Sequence, residues 1–200
     1  MQNLTKIKFW NGNRSKIRQD HESNVLKAVL EATQADYGPF HMEESREDYP
    51  GLMESLAFSE KHHDVLITVA GNQKFDEYVI IIPKPIAHTI LGYRIPIIRK
   101  TSEVVFTNLT EHELKHKTHG IPETWSDAHI LRSNAYSVYE KGSFDELFQG
   151  FANHEFDYTT FGIKEVFDAF IKYTYFFFKS NPKFSCNIIG QRFPLPTASI

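Results

Sequence analysis

Tyr78-Val79-Ile80-Ile81-Ile82-Pro83-Lys84-Pro85-Ile86-Ala87-His88-Thr89-Ile90-Leu91-Gly92-Tyr93-Arg94-Ile95-Pro96-Ile97-Ile98-Arg99-Lys100 decides how the rest of the chain is read. It holds two β-rich stretches, Tyr78 to Ile82 and Ile90 to Lys100, broken by Pro83-Lys84-Pro85 and with no room for a helix between them. A proline removes the backbone donor a central strand needs, so the two stretches read as consecutive strands that leave one α/β body and enter another.

On the N-terminal side, Thr5 to Trp10 alternates polar and apolar residues and ends in Asn11-Gly12-Asn13. Ile17, Val25, Leu26, Val29 and Leu30 then recur at helical spacing. A short strand at Phe40 to Met42, a helix through Leu52, Leu56 and Ala57, and a strand from Asp64 to Val69, stopped by Gly71-Asn72, repeat the pattern. On the C-terminal side, a helix is expected over Leu109 to His116, an extended piece near Gly120, a helix over Asp127 to Asn134 and a strand at Tyr136 to Tyr139. A helix through Phe144, Leu147, Phe148 and Phe151, a strand at Asp157 to Phe161 and an aromatic helix from Lys164 towards Phe178 follow. Asn181-Pro182 ends that helix, and Ser185 to Gln191 reads as a last strand. Regular alternation of this kind implies an α/β fold with mixed, mainly parallel sheets covered by helices.

Composition narrows the function classes. The 200 residues carry a net charge of −3 with basic and acidic residues evenly spread, which gives no basic stripe for nucleic acid. One cysteine, Cys186, excludes an intrachain disulfide and a cysteine zinc cluster. Met1 to Asp20 has no apolar run of signal-peptide length, so an exported form would have had its leader removed, and a cytoplasmic location stays open.

Three strings carry candidate chemistry. His112-Glu113-Leu114-Lys115-His116 matches H-E-x-x-H, which puts two imidazoles on one helical face beside a general-base carboxylate and makes a zinc-dependent hydrolase the opposing reading. A solvated helix capped by Thr110 is the simpler account, because His119-Gly120 breaks the turn and Lys115 places a charge inside the motif. Trp125-Ser126-Asp127 opens a helix, where free backbone N–H groups face outward, Trp125 can stack on a ligand and Asp127 favours an amine. The alternative there is a packing tryptophan beside a helix cap. Trp10 and Asn11 end the first strand, where the ligand crevice of an open α/β sheet lies, or else form a turn with an aromatic plug. Arg94 reads as a salt-bridging residue near the crossing.

With these strings in place the chain resembles the type 2 periplasmic substrate-binding proteins, and among them the amino-acid-binding components of ABC transporters. The resemblance rests on Phe9-Trp10-Asn11-Gly12-Asn13, Leu91 to Lys100, Trp125 to Arg132, Ser143-Phe144-Asp145-Glu146-Leu147-Phe148 and Asn153-His154-Glu155-Phe156-Asp157-Tyr158. It implies two lobes, residues 1–90 and 91–184, with 185–200 returning towards the first, and a small polar, amino-acid-like solute held between them. Where relatives clamp a carboxylate with an arginine after the third strand, Gly71-Asn72-Gln73-Lys74-Phe75 offers Lys74. No arginine follows Asp157-Tyr158-Thr159-Thr160-Phe161-Gly162. The expected ligand residues are therefore Trp10, Asn11, Lys74, Thr124, Trp125, Ser126, Asp127 and Thr160, with no catalytic residue, metal or cofactor.

The implied setting is the periplasm, with a membrane permease or a sensor as partner. A homodimer would cover first-lobe surface left by the short segment after Ser185. The remaining alternative is an orphan interaction domain that has lost its solute.

Overall fold

The computed structural model describes residues 4–69, 72–75, 79–87, 90–123, 125–163, 165–171, 186–188 and 193–194. The chain divides into two compact units, Met1–Ile86 and Ala87–Ile200. The expected aromatic stretch Tyr173 to Phe178 lies outside the described residues.

In the first unit, β1 (Thr5–Trp10), β2 (Phe40–Ser45) and β3 (Val65–Leu66) form a parallel sheet in the order β2-β1-β3. Two consecutive parallel pairings need crossovers, supplied by the long helix α1 (Lys16–Tyr37) and by the short helix α2 (Leu56–Ser59). Gly38 ends α1 with φ of 87°, and its N–H caps the Gln34 carbonyl at 2.9 Å. Phe9, Trp10, Ala57 and Phe75 are buried, whereas Ile17 and Val29 of the α1 apolar series are exposed and Gln19 and Glu22 are the residues α1 buries.

Of the expected strand at Tyr78 to Ile82, the described residues Val79–Ile82 form no strand. Val79–Ile82 is irregular, and Ile80 and Ile82 are 95% and 78% exposed. β3 is likewise two residues long against the six expected, and β-branched composition alone did not secure a ladder for either stretch.

In the second unit, β4 (Tyr93–Arg99) is the axis of the sheet. β5 (His119–Ile121) pairs in parallel with β6 (Val138–Glu140) and with β7 (Tyr158–Gly162), and β4 runs antiparallel to β7. The order is β6-β5-β7-β4-β8, where β8 is Cys186–Ile188, and β9 (Phe193–Pro194) also pairs with β4. β8 and β9 both run antiparallel to β4, from Arg99 back to Tyr93, the end at which the chain comes into this unit.

Helices cover both faces. Alternation along β4 sends Ile95 and Ile97 into one core with Leu147, Phe148 and Phe151 of α6 (Phe144–Ala152) and Val166 and Ala169 of a helix over 166–171. Ile98 enters the other core with Phe106 of α3 (Glu103–Thr107), Leu114 of α4 (Glu111–Lys115) and Ala128 and Leu131 of α5 (Asp127–Ser133). α6 starts on a capping box: the Glu146 N–H donates to Ser143 Oγ at 3.3 Å, and the Ser143 N–H donates to Glu146 Oε2 at 2.6 Å. Gly120 in β5 lies under the Phe156 ring, which a Cβ there would overlap.

Candidate functional site

Because β1, β2 and β3 are parallel, their carboxyl ends at Trp10, Ser45 and Leu66 share one edge of the first unit. The loops leaving that edge are laced together. Trp10 Nε1 donates to the Glu47 carbonyl at 2.9 Å, and Asn13 Nδ2 donates to the Tyr49 carbonyl and to Glu54 Oε1, both at 2.7 Å. The Arg14 guanidinium, packed 5.4 Å from the Trp10 ring and 3.0 Å from Glu22, donates to the carbonyls of Gly12 and Ile67. Trp10 is only 1% exposed, and Tyr49 stacks on it at 5.1 Å with 10° between the planes. The aromatic ring this edge presents is therefore Tyr49, with Trp10 as its backing.

Asn11 is fully buried. Its Nδ2 donates to Glu44 Oε1 and to the Gln19 carbonyl at 2.8 Å, and Gln19 Nε2 donates back to the Asn11 carbonyl at 2.9 Å, which joins β1 to α1 and β2. Lys74 donates to Glu54 Oε2 at 2.9 Å, so Glu54 gathers Lys74 and Asn13 to the same edge.

In the second unit the carboxyl ends of β5 and β7 lie at one edge with the first residues of β4, where Arg94 is opposite Gly162. Arg94 Nη2 donates to Asp127 Oδ2, and both side chains are buried. Burial holds the Asp127 carboxyl above its ordinary range against the opposing pull of Arg94, and the Glu165 charge adds to the rise. Below this pair, the Thr160 hydroxyl and His119 Nε2 are 3.2 Å apart, and the His119 ring stacks on Tyr158 at 4.7 Å. Burial, then the charge of Arg94, pushes the His119 pKa down to about 3, so the ring is neutral at physiological pH.

Trp125 is half-buried, with its ring 5.8 Å from Phe144 and 6.0 Å from Phe161. Ser126 is the N-cap of α5 but makes no side-chain cap, and the Asp127 carboxylate is on Arg94. The structure thus brings Trp125, Ser126, Asp127 and Thr160 to one edge of one unit. Thr124 lies outside the described residues.

Solved structures match nearly the whole chain, and three of them serve as examples. An arginine transport system periplasmic binding protein from Legionella pneumophila matches with a TM-score of 0.56 and 12% identity, over 96% of this chain and 82% of that one. The GluR0 ligand-binding core complexed with L-glutamate gives 0.53 and 15% over 94% and 79%. The chain has the type 2 periplasmic-binding-protein fold. A probable amino-acid ABC transporter extracellular-binding protein, YtmK from Bacillus subtilis, shares this fold at a TM-score of 0.50 and 9% identity, over 94% and 80%. No family model and no curated protein matches the sequence.

On this fold the H-E-x-x-H string falls on α4, five residues long and mostly exposed. Glu113 closes a capping box: its Oε2 accepts from the Thr110 N–H at 2.8 Å and from Thr110 Oγ1 at 2.7 Å, and these bonds lower its pKa. A carboxylate so held has another task than activating water. Among the described residues, no group of three His, Cys, Asp or Glu side chains is placed to hold a metal ion.

Two features of these edges were absent from the sequence reading. Tyr49 stands alone in the polar loop Glu47-Asp48-Tyr49-Pro50, and no spacing marks it. The partner of Arg94 is 33 positions away, beyond the reach of any local pattern.

Proposed function

We propose that this chain is a solute-binding protein that holds a small polar organic molecule of amino-acid type and delivers it to a membrane permease or a sensor, outside the cytoplasmic membrane. The observation that carries this is the placement of aromatic and polar side chains at the carboxyl edge of the parallel strands in each unit, which is where open α/β sheets bind ligands. The fold adds support, since neighbours sharing it are named for arginine transport and for a complex with L-glutamate.

The solute meets Trp125, Ser126, Thr124, Asp127 and Thr160 on residues 91–184, and on residues 1–90 it meets Lys74 and a Tyr49 surface backed by Trp10 and fixed by Asn11. Residues 185–200 serve as the return segment, consistent with the direction of β8 and β9. Chemistry on the solute has little support. Among the described residues, the hydroxyl–imidazole contact of Thr160 with His119 pairs the hydroxyl with a base whose pKa is about 3, too weak to take its proton at neutral pH.

A second reading, an orphan domain of the same fold, draws on the pairing of Lys74 with Glu54 and of Arg14 with Glu22, which leaves those two cations engaged within the first unit. Thermal-shift measurement with the twenty L-amino acids, putrescine, spermidine and succinate separates the two. A bound solute at about 100 times its Kd adds about 2.7 kcal/mol of stability, a shift of several degrees. No shift with any compound refutes solute binding and supports the orphan domain.

A further inference from the structure

We propose, building on the solute-binding reading, that Arg94 is the positioning residue of the second unit's solute loop: through Asp127 it fixes Trp125 and Ser126 against the first residues of β4. Arg94 is the second residue of that strand, buried, and in register with Gly162 at the end of β7. Its Nη2 is on Asp127, the first residue of α5, while its Nε is buried without a hydrogen-bond partner.

Helices commonly fix their start by a side-chain cap, yet Ser126 makes none, in contrast to Thr110 at α4 and Ser143 at α6, which both close capping boxes. The ion pair instead ties the first residue of α5 to β4. Ahead of it the Glu123 N–H donates to the Gly142 carbonyl at 2.9 Å, the Trp125 N–H to Pro122 at 3.4 Å and the Ala128 N–H to Trp125 at 3.1 Å, and the Trp125 ring packs on Phe144 and Phe161. A buried ion pair replaced by apolar side chains of similar volume is often neutral for stability or better, so a pair with an incompletely satisfied guanidinium is a poor device for stability alone. What it supplies here is a fixed distance between the ligand loop and the strand by which the chain comes into the unit.

The test uses the full-length chain and isothermal titration with L-glutamate, L-arginine, L-glutamine and putrescine. For whichever of these the wild type binds, Arg94→Met/Asp127→Leu is expected to keep the wild-type unfolding temperature within a few degrees and to lose at least tenfold in affinity. Its Trp125 fluorescence, read in a Trp10→Phe background, is expected to become more accessible to acrylamide. Arg94→Lys, which retains one charge and loses the planar fork, is expected to fall between the two. If the double variant does not fold, Arg94→Lys decides. Because Asp127 is itself a proposed solute contact, only weaker binding together with greater acrylamide access to Trp125 supports the proposal. Wild-type affinity, or weaker binding with wild-type quenching of Trp125, in the folded double variant or in Arg94→Lys in its place overturns the role of Arg94 and leaves solute binding standing. A wild type that binds none of the four probes overturns both.

Discussion

Lowering the pH from 7.5 to 5 is expected to destabilise the second unit through a single side chain, His119. The ring is fully enclosed, stacked on Tyr158, hydrogen-bonded at Nε2 to Thr160 and under the positive charge of Arg94. Its pKa is about 3 in the folded chain against an ordinary value of 6.5. The folded pKa is the depressed one, so below pH 6.5 the unfolded chain gains a proton that the folded chain refuses. Stability is then lost progressively as the pH falls from about 6.5 towards 3. Integrated from pH 7.5 to pH 5, this difference is worth about 2 kcal/mol, since the unfolded form is stabilised by RT ln(1 + 10^(6.5−pH)) while the folded form barely titrates.

The assay is urea unfolding at the two pH values, followed by Trp125 fluorescence in a Trp10→Phe background that leaves Trp125 as the one tryptophan. With an m-value of about 1–2 kcal/mol/M, the expected fall in midpoint is roughly 1–2 M. Carboxylates and the other histidines also titrate, so the decisive quantity is the difference between this protein and His119→Gln, which can keep a polar atom near Thr160 but has no charge to gain. The glutamine variant should be the less stable at pH 7.5 and should lose about 2 kcal/mol less between pH 7.5 and 5. Equal losses in the two proteins would refute the assignment of a strongly depressed pKa to His119.

Trp125→Ala should cost about 2–3 kcal/mol in urea unfolding, because the half-buried indole packs on Phe144 and Phe161, and should also weaken solute binding by tenfold or more in titration calorimetry. A stability loss with unchanged affinity would restrict Trp125 to packing. Gly120→Ala drives a methyl into the Phe156 ring and is expected to lower stability by about 1–3 kcal/mol, whereas Gly92→Ala, whose Cβ meets nothing, is expected to be near neutral in the same thermal scan. Ser143→Ala opens the capping box of α6 and should cost about 1 kcal/mol by chemical denaturation, restored in large part by Ser143→Asp.

What was legible in the sequence follows a physical line. In the second unit the helix pattern through Leu147, Phe148 and Phe151 and the strand pattern at Tyr158 to Phe161 both face cores, so the hydrophobic period reported the structure. The strand within Ile90 to Lys100 was legible for the same reason: Ile95, Ile97 and Ile98 are buried on both faces of the sheet. Val79 to Ile82 has equal apolar strength but pairs with no strand among the described residues, and composition carries no information about pairing partners. At the sites, Trp10 was recognised as an aromatic at a strand end, yet its burial depends on Tyr49, 39 residues later, stacking over it. Asp127 was recognised as a helix-start residue, yet its carboxylate belongs to a pair made by the fold rather than to the cap its position suggests.

The irregular stretch at Val79–Ile82 also bears on how the chain behaves in a crowded solution. Three consecutive isoleucines lie open to solvent, and an exposed β-branched run of this kind is a template on which a strand of another molecule can add. Pro83 and Pro85 follow at once, neither able to donate a ladder hydrogen bond, with the exposed Lys84 between them and its N–H turned back onto the Ile82 carbonyl at 2.8 Å. Pro-Lys-Pro thus acts as a gatekeeper. It truncates any intermolecular ladder after a few residues and sets a positive charge at its end, so that neighbouring copies repel one another there, and the exposed isoleucines can be carried without seeding aggregation.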